Sequence, residues 1–246
     1  MKLKVLASSS SGNCYLLENE TELLILEAGI PFRRIQEGIN FNVGKAVGCL
    51  VTHEHKDHSK SIMDILKNGI NVYTSKGTME ALGMEESYRL KTIKAHDTLK
   101  VGGFTILPFD TQHDAQEPLG FLIQHKDMGK LLFITDSYYC KYKFKEVDHI
   151  LVECNYKKEI LDENIHSGKV PELIRDRIIK SHFELENVIE FLKSSDLSKT
   201  KNIVLIHLSS QNGDKKLFKK EIEKSTGRPV YIAKKGLKLR IGKEVF

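Results

Sequence analysis

The sequence lacks a hydrophobic run of membrane-spanning length, although it has 246 residues. A transmembrane helix needs about 20 consecutive apolar residues, and no segment approaches that length. The first seven residues, MKLKVLA, are also too short in apolar residues for a signal peptide. The sequence therefore predicts a cytoplasmic protein that has no membrane partner.

Closely spaced cysteines are missing as well. Cys14, Cys49, Cys140 and Cys154 lie far apart in the sequence, and no two of them form a C-x-x-C pair. Disulfide frameworks and cysteine-based zinc sites need closely patterned cysteines. Cys49 and Cys154 lie in apolar, strand-like runs, so we predict buried thiols rather than metal ligands or disulfides.

Internal repeats, low-complexity segments and breaks in composition are absent too. We therefore predict a single domain over residues 1–246. Hydrophobic residues make up 40% of the chain and charged residues 29%. This composition is typical of an ordinary soluble globular protein with a sizeable core.

Positive charge is in modest excess. The chain has 38 Lys and Arg against 33 Asp and Glu, a formal net charge of +5, and lysines cluster in segments such as KYKFKE at 141–146. The excess is compatible with a polyanionic substrate, but an excess of this size is also common on proteins that never meet nucleic acid. It is therefore only a supporting clue.

Strand patterns dominate the first half of the chain, whereas strands and helices alternate in the second half. Two sheets between outer helices satisfy this order, which predicts the α/β (α+β) class and an αββα four-layer sandwich. The predicted strands are 3–7, 14–18, 23–27, 47–52, 71–74, 91–95, a hairpin within 98–110, 120–124, 130–135, 149–153, 202–206, 229–233 and 237–241. The predicted helices begin at Pro31 or span 59–65, 75–82, 157–163, 170–180, 184–194 and 214–224.

Metal-ligand side chains begin where one predicted strand ends. The apolar run before position 53 predicts a buried strand, and the sequence that follows it is HEHKDH. His53 and His55 lie two positions apart at the strand end, so they point the same way and can hold one metal ion.

Asp57 and His58 supply the second half of this motif. Ser59 can cap the helix predicted over 59–65, so this pair can turn back toward a second ion. A solvated polar loop is the alternative, since histidine, lysine and glutamate are ordinary surface residues. The pattern HxHxDH after a buried strand, and the number of ligands it offers, favour a dinuclear metal site.

Three later residues complete a pattern that resembles the metallo-β-lactamase fold superfamily over essentially the whole chain. These are His113 in a polar turn, Asp136 after an apolar strand and His207 after the last inner strand. Within the superfamily the sequence is similar to the WalJ/YycJ-like group of nuclease-type hydrolases, through the segments LASSSSGNCYLLE, FITDS, LVECNY, SHFELEN and LIHLSSQN. These segments match more loosely than the histidine motif.

This resemblance implies two divalent ions, zinc or manganese, in a site of seven ligands. His53, His55 and His113 would hold the first ion, Asp57, His58 and His207 the second, and Asp136 would bridge both. Neutral imidazoles suit zinc or manganese, and a bridging carboxylate offsets the charge of two cations. Two cations lower the pKa of a water between them toward about 7. A metal-bridging hydroxide would then be the nucleophile, and Asp57 would be a catalytic residue that orients it.

A second catalytic residue is implied by SHFELEN. This segment takes the place of a non-ligand histidine loop in related tRNA-processing phosphodiesterases, so His182 is expected to contact the phosphate or to protonate the leaving alkoxide. The alternative is a surface histidine at a helix N-terminus. The other histidines, which are predicted to be structural or solvent-exposed, are His96, His125, His149 and His166.

Two further features bear on specificity. The serine- and glycine-containing loop at 8–13 can form an anion-binding nest for a phosphate, or it can simply connect two strands. Glu27 lies in LILEAG where many relatives have aspartate, and its longer carboxylate is expected to reach and steady a ligand loop.

The leading functional prediction is a metal-dependent phosphodiesterase or nuclease that resembles a DNA exonuclease. Its expected substrate is nucleic acid, with DNA ahead of RNA. The sequence has no Gly/Pro-rich arm of the kind that clamps tRNA, which disfavours tRNA maturation. Two alternatives stay open: a hydrolase of a small thioester, lactone or cyclic nucleotide, and a non-catalytic metal-bound module that binds nucleic acid. The oligomeric state is not indicated.

Overall fold

A computed structural model describes residues 1–242 of the chain. Residues 243–246, which the single-domain prediction includes, lie outside the described part. The chain divides into two compact units: unit 1 comprises Met1–Asp110, Ala115–Gly129 and the segment from Ala233 onward, and unit 2 comprises Thr111–Asp114 and Lys130–Ile232. The single domain stays a prediction.

The described residues form strands and helices in an order close to the predicted one. The strands are β1 (Lys2–Ala7), β2 (Cys14–Glu18), β3 (Leu23–Leu26), β4 (Ala46–Leu50), β5 (Val72–Thr74), β6 (Leu90–Thr92), β7 (Leu99–Val101), β8 (Phe104–Asp110), β9 (Leu119–His125), β10 (Gly129–Ile134), β11 (His149–Glu153), β12 (Asn202–Ile206), β13 (Val230–Ile232) and β14 (Lys238–Arg240). The α-helices are α1 (Phe32–Gly38), α2 (Lys56–Ser59), α3 (Ile62–Lys67), α4 (Lys76–Ala81), α5 (Lys158–His166), α6 (Arg175–Ser181), α7 (Leu185–Ser194) and α8 (Lys215–Thr226). Short 3-10 turns span Val43–Lys45 and Glu172–Ile174.

Unit 1 contains a sheet with the strand order β14-β1-β2-β3-β4-β5-β6. The strands from β14 to β3 pair antiparallel, and those from β3 to β6 run parallel. Because the carboxyl ends of parallel strands meet at one edge of a sheet, Glu27 after β3 and His53 after β4 lie at the same edge. Unit 1 also contains the antiparallel strands β7, β8 and β9. The hairpin predicted within 98–110 is confirmed, with its turn at Gly102-Gly103.

Unit 2 contains parallel strands in the order β10-β11-β12-β13. Helices α5 to α7 connect β11 to β12, and α8 connects β12 to β13. Every residue of β11 is buried, which is typical of a parallel strand covered on both faces. The carboxyl ends of β10, β11 and β12 share one edge, so the chain brings Asp136, Glu153 and His207 to that edge.

The helix predicted over 59–65 is confirmed only for residues 62–65, and its predicted cap at Ser59 is wrong. Two short helices, α2 and α3, take its place, and Ser59 is the last residue of α2. The Oγ atom of Ser59 lies 2.7 Å from the carbonyl oxygen of Glu54 and 3.0 Å from that of His55. Ser59 therefore stabilises the turn before α2 and caps no later helix. As a result, Asp57 and His58 lie inside a helical turn.

The prediction of buried thiols is confirmed for three of the four cysteines. All four are free, and Cys14, Cys49 and Cys154 are buried, whereas Cys140 is partly exposed. Burial raises the pKa of the three buried thiols. Within residues 1–242, no helix is both long enough and apolar enough to cross a membrane.

Candidate metal centre

Two histidines follow β4 in unit 1. His53 is buried, and its Nε2 atom lies 3.1 Å from Nδ1 of His55. The hydroxyl oxygen of Thr52 lies 2.9 Å from the other ring nitrogen of His53, and the Thr52 carbonyl accepts a hydrogen bond from the N–H of Leu119. These contacts fix the strand end and bring one nitrogen of each imidazole together, an arrangement that one ion could share.

Asp57 and His58 lie on α2. The Nε2 atom of His58 is 3.3 Å from Oδ2 of Asp57, and its Nδ1 atom is 3.3 Å from Oε2 of Glu27. Both His58 and Glu27 are fully buried. The longer Glu27 carboxylate thus reaches the ring of His58, a residue that the sequence predicts to be a metal ligand.

Asn13 connects the loop before β2 to α2, and sequence analysis did not select it. Its N–H donates a hydrogen bond of 2.8 Å to the carbonyl oxygen of Asp57. Its Nδ2 atom lies 3.4 Å from Oδ2 of Asp57 and 3.1 Å from Nε2 of His58. Asn13 therefore holds both the backbone and the carboxylate of Asp57. The SGNCY segment that carries it was part of the resemblance, but its buried position depends on the fold.

Backbone hydrogen bonds within the serine loop at 8–13 favour the second of the two alternatives, a connecting loop. The N–H groups of Ser9, Ser11 and Gly12 donate to Oδ1 of Asn13, to Oγ of Ser9 and to the carbonyl of Ser9, respectively. Because these amides are already bonded within the loop, they do not form a nest for a phosphate.

Gly29 allows the loop after β3 to lie against α2. A Cβ atom added to Gly29 would lie 1.6 Å from the carbonyl oxygen of Asp57, and the Gly29 N–H donates to the carbonyl of Asn13 at 3.0 Å. Any side chain at this position would displace the backbone of Asp57. Glycine is therefore required here for steric reasons.

Asp136 lies between two histidines in unit 2. Its Oδ2 atom is 3.7 Å from Nε2 of His113, and its Oδ1 atom is 3.3 Å from Nδ1 of His207. All three side chains are buried. Nδ1 of His113 lies 2.7 Å from the carbonyl oxygen of Ser181, to which it donates. The two carboxylate oxygens thus face two different imidazoles.

Glu153, at the end of β11, is a site residue that sequence analysis missed. Its carboxylate is fully buried and accepts hydrogen bonds from Nδ1 of His182 at 2.7 Å and from Nδ1 of His207 at 3.0 Å. It also accepts from the N–H groups of Ser137 and Phe183. The sequence did contain a signal for this residue. Glu153 lies at the end of a strand, as Asp136 and His207 lie just after the ends of theirs.

His182 joins the same cluster from the end of α6. Its side chain is 21% exposed and bonded to Glu153, which does not favour the alternative of a solvated surface histidine. His182, Glu153, Asp136 and His207 each offer a ligand atom, and these atoms lie within 4.8 Å of one another. Asn155, two residues after the end of β11, also holds this cluster: its Nδ2 atom donates to the carbonyl oxygen of His207 at 2.9 Å.

Burial and charge act against each other in this cluster. Burial raises the pKa of Glu153, but the charge of His182 and the hydrogen bonds from His182 and His207 outweigh it, so the pKa lies below its usual value. Burial lowers the pKa of His182, but the charge of Glu153 and their hydrogen bond raise the pKa above its usual value. For His113 burial prevails over the charge of Asp136, and the pKa is lowered. This shift favours the neutral form of His113, which is the form that binds metal ions.

The remaining histidines agree with their prediction as structural or exposed residues. His125 is buried, and its Nε2 lies 3.1 Å from Oε1 of Glu22. His149 is buried in β11, whereas His96 is 61% exposed and His166 is exposed. None of them belongs to a potential metal-binding group among residues 1–242.

Comparison with known proteins connects these clusters to a family. A family model described as the β-lactamase superfamily domain matches residues 33–208. The exodeoxyribonuclease WalJ of Streptococcus pneumoniae is 29% identical over 232 residues, which cover 88% of this chain and 84% of WalJ. The exodeoxyribonuclease YycJ of Bacillus anthracis is 28% identical over 236 residues, which cover 90% of this chain and 88% of YycJ.

A solved structure shares the arrangement of strands and helices. The metallo-β-lactamase fold protein YhfI from Bacillus subtilis superimposes with a TM-score of 0.75 over 97% of this chain and 98% of YhfI. The two sequences are 18% identical, so this similarity concerns the fold alone.

Proposed function

The chain belongs to the β-lactamase superfamily, and from this membership we propose that it is a metal-dependent phosphodiesterase of the exodeoxyribonuclease type, with DNA as its substrate. The fold class predicted from the sequence is confirmed as the metallo-β-lactamase fold, an α+β arrangement of two mixed sheets flanked by helices. Relatives that are named exodeoxyribonucleases match 88% and 90% of the chain. Together with the buried histidine and carboxylate clusters, they support a hydrolase of phosphodiester bonds.

The donor atoms of the clusters fit divalent cations. Buried carboxylates are costly unless cations or hydrogen-bond donors compensate their charge, and imidazoles with carboxylates suit zinc or manganese. We propose that two such ions are held by the seven residues named from the sequence. These are His53, His55, Asp57, His58, His113, Asp136 and His207.

The position of Asp136 is the observation that carries this proposal. Each of its carboxylate oxygens lies near a different histidine: Oδ2 is 3.7 Å from Nε2 of His113, and Oδ1 is 3.3 Å from Nδ1 of His207, the nitrogen that also donates to Glu153. Oδ1 accepts a further hydrogen bond from the Thr135 hydroxyl. A carboxylate that bridges two cations needs both oxygens directed at ligand groups in this way. An aspartate that only stabilises a turn would direct an oxygen at backbone N–H groups instead.

The side chains around the cluster have separate proposed roles. Bound divalent ions supply Lewis acidity and an activated water. Asp57 is proposed to accept a hydrogen bond from the attacking water, and Asn13 holds the Asp57 carboxylate in place. His182 is proposed to contact the phosphate or to protonate the leaving alkoxide. Its Nδ1 is bonded to Glu153, which leaves Nε2 for that contact.

A cytoplasmic location is part of the same proposal. It is supported by the four free cysteines, since reducing compartments keep thiols unpaired.

The test is a cleavage assay with purified protein and added Mn²⁺ or Zn²⁺. The substrates are end-labelled single- and double-stranded DNA and RNA, a chromogenic phosphodiester, and a panel of thioesters, lactones and cyclic nucleotides. We expect stepwise, metal-dependent shortening of DNA. Asp57→Asn should abolish it, and Asp64→Asn, a matched change of an exposed aspartate on α3, should leave it unchanged.

Other outcomes would contradict the proposal. Turnover confined to the small-molecule panel would indicate a different hydrolase. Stoichiometric DNA binding without cleavage under several metals would indicate a non-catalytic module.

A further inference from the structure

Two exposed tyrosines follow Asp136 almost directly. Tyr138 is 38% exposed and Tyr139 is 56% exposed. Exposed aromatic side chains that lie next to each other are uncommon on a soluble surface and often mark an interaction site. These two lie within three positions of a residue that the proposed function assigns to the metal centre.

The backbone of the two tyrosines is fixed, although their side chains are exposed. The N–H of Tyr138 donates to the carbonyl of Gln112 at 3.0 Å, and the Tyr139 carbonyl accepts from Oγ of Ser137 at 2.7 Å. Gln112 in turn donates its N–H to Oγ of Ser137 at 3.0 Å. Gln112 precedes His113 and Ser137 follows Asp136, so the tyrosines are tied to the chain neighbours of two proposed ligands.

Lysines and aromatic residues alternate after the tyrosines. Lys141, Lys143 and Lys145 are exposed, and the Nζ atom of Lys141 lies 5.1 Å from the centre of the Tyr142 ring. Phe144 packs against Phe191 on α7, with ring centres 6.5 Å apart. The segment is therefore attached at both ends and carries a row of positive charge between them.

Glu146, the acidic residue that follows this row, pairs with lysines outside the row. Oε1 of Glu146 lies 2.5 Å from Nζ of Lys199, and Oε2 lies 3.6 Å from Nζ of Lys130. The charge and hydrogen bond of Lys199 hold the pKa of Glu146 below its usual value. Glu146 is thus engaged by lysines from elsewhere in unit 2.

We propose that residues 138–145, the tyrosine–lysine segment, bind single-stranded nucleic acid beside the metal centre. The rings of Tyr138 and Tyr139 stack on bases near the strand end, and the three lysines contact phosphates. Aromatic rings interleaved with positive charge are the two elements from which single-strand binding surfaces are built. This inference rests on the proposed function, and it adds that the preferred DNA end is unpaired.

The choice of a single strand follows from the chemistry of the rings. Within a duplex each base face is covered by its neighbours, so an exposed tyrosine finds a free π-face only on an unpaired or terminal base. Lysines alone would bind duplex and single strand alike through their phosphates. The tyrosine pair is therefore the part of the segment that discriminates.

The test measures binding in an Asp57→Asn background, which prevents cleavage during the measurement. Fluorescence anisotropy is recorded with a labelled oligothymidylate of about 12 nucleotides, which fits the range of single-strand site sizes. An abasic strand of equal charge, an oligouridylate and a blunt duplex of the same length are compared with it. The variant is Tyr138→Leu/Tyr139→Leu, which keeps apolar volume but removes both rings.

The chain offers two controls. Tyr138→Phe/Tyr139→Phe keeps both rings. Tyr88→Leu removes a tyrosine that is 81% exposed and lies beside two cations, Arg89 and Lys91, but in unit 1 and without a tie to Asp136. Both controls should bind like the parent.

We expect the leucine variant to bind oligothymidylate about 10-fold or more weakly, given the usual contribution of base stacking. Its affinity for the abasic strand should be unchanged, and its loss of affinity for oligouridylate should match the loss for oligothymidylate, because stacking on the rings tolerates any base. Changing Lys141, Lys143 and Lys145 to glutamine should reduce the slope of log Kd against log salt by about 2.

Unchanged oligothymidylate affinity in the leucine variant would overturn the inference, as would an equal loss on the abasic strand. The inference would also be overturned if the parent protein is a dimer and the leucine variant is a monomer with unchanged affinity for oligothymidylate. That result would assign the tyrosines to a contact between copies of the chain. Turnover of the chromogenic phosphodiester by the enzyme with Asp57 intact separates the two proposals. Binding that depends on the tyrosine rings, without such turnover, would contradict the proposed function alone. Turnover together with binding that does not depend on the rings would contradict only this inference.

Discussion

At the scale of single residues, Glu153 determines how two imidazoles of unit 2 are oriented. It accepts from Nδ1 of both His182 and His207, and two backbone N–H groups hold its carboxylate in turn. A carboxylate bonded to one ring nitrogen fixes the tautomer and leaves the other nitrogen for a metal or a phosphate. Glu153 therefore acts through the residues it positions.

The replacement His182→Ala tests the proposed catalytic role directly. We expect DNA cleavage to fall by about 100-fold or more, because a positioned proton donor contributes about that much. Metal content, measured by elemental analysis, should not change. The matched control is His96→Ala, which removes a histidine that is 61% exposed.

Two results would contradict this role. Unaltered cleavage would remove His182 from the reaction. Loss of one ion would make it a ligand, as its place in a cluster with Asp136, Glu153 and His207 allows.

Residues that hold ligands were harder to predict than the ligands themselves. Histidines and aspartates at strand ends have a spacing that can be recognised in the sequence. Asn13 and Glu153 act through hydrogen bonds to residues 44 and 29 positions away, and no local pattern encodes such contacts. Sequence analysis could have found Glu153 only by treating each strand end as a candidate position.

At the scale of secondary-structure elements, the parallel strands next to the clusters end abruptly. Glu27, Asp136 and His207 have φ angles of 67°, 37° and 50°, in a region that residues other than glycine rarely adopt. Each follows a parallel strand, β3, β10 or β12. Such conformations cost about 1–3 kcal/mol each and persist at sites where function requires them. The positive φ at each of these residues ends the extended backbone of its strand and redirects the side chain at that strand end.

Helix α7 gives a prediction about pH. Its N-cap is Glu184, whose carboxylate accepts from the N–H groups of Glu186 and Asn187. Burial, with the hydrogen bond and charge of Glu186, raises the pKa of Glu184 to about 7. The folded state then holds this proton more tightly than the unfolded state, so stability is lost as pH rises from 4.5 through about 7.

The variant Glu184→Gln keeps an acceptor for the cap but cannot ionise. Relative to the parent, we expect it to gain about 1–3 kcal/mol of unfolding free energy between pH 5 and pH 8. Urea unfolding at the two pH values measures this difference. Asp214→Asn makes the same change at the N-cap of α8, where the carboxylate is exposed. A similar pH-dependent gain there would show that the effect does not depend on burial.

Strands were predicted more accurately than the short helices next to the site. The predicted strands 14–18, 149–153 and 202–206 coincide with β2, β11 and β12, because continuous apolar runs bounded by polar residues mark buried strands. The division between α2 and α3 follows from distant contacts of Asp57 with Asn13 and Gly29. Local sequence does not contain that information.

At the scale of the whole molecule, burial predicts which thiols react. The thiolate is the reactive form of cysteine, and burial raises the pKa of Cys14, Cys49 and Cys154. We expect a thiol reagent to modify about one cysteine per native chain, and mass spectrometry to locate it at Cys140. Under denaturing conditions all four should react. Rapid modification of a buried cysteine in the native protein would show that the core opens.

Metal removal tests the composition of the proposed centre in the whole protein. Elemental analysis should find about two ions per chain, and His113→Ala should retain fewer. An ion that binds only the folded state at 100 times its Kd adds about 2.7 kcal/mol to the free energy of unfolding. For a chain of this size that corresponds to about 5–10 °C in Tm, so a chelator should lower Tm by that amount and added Zn²⁺ or Mn²⁺ should restore it. A purified protein that holds no metal, and whose Tm responds to neither treatment, would contradict the dinuclear centre. The reason is that the ligands are assembled only in the folded state, so the free energy of metal binding must appear as stability.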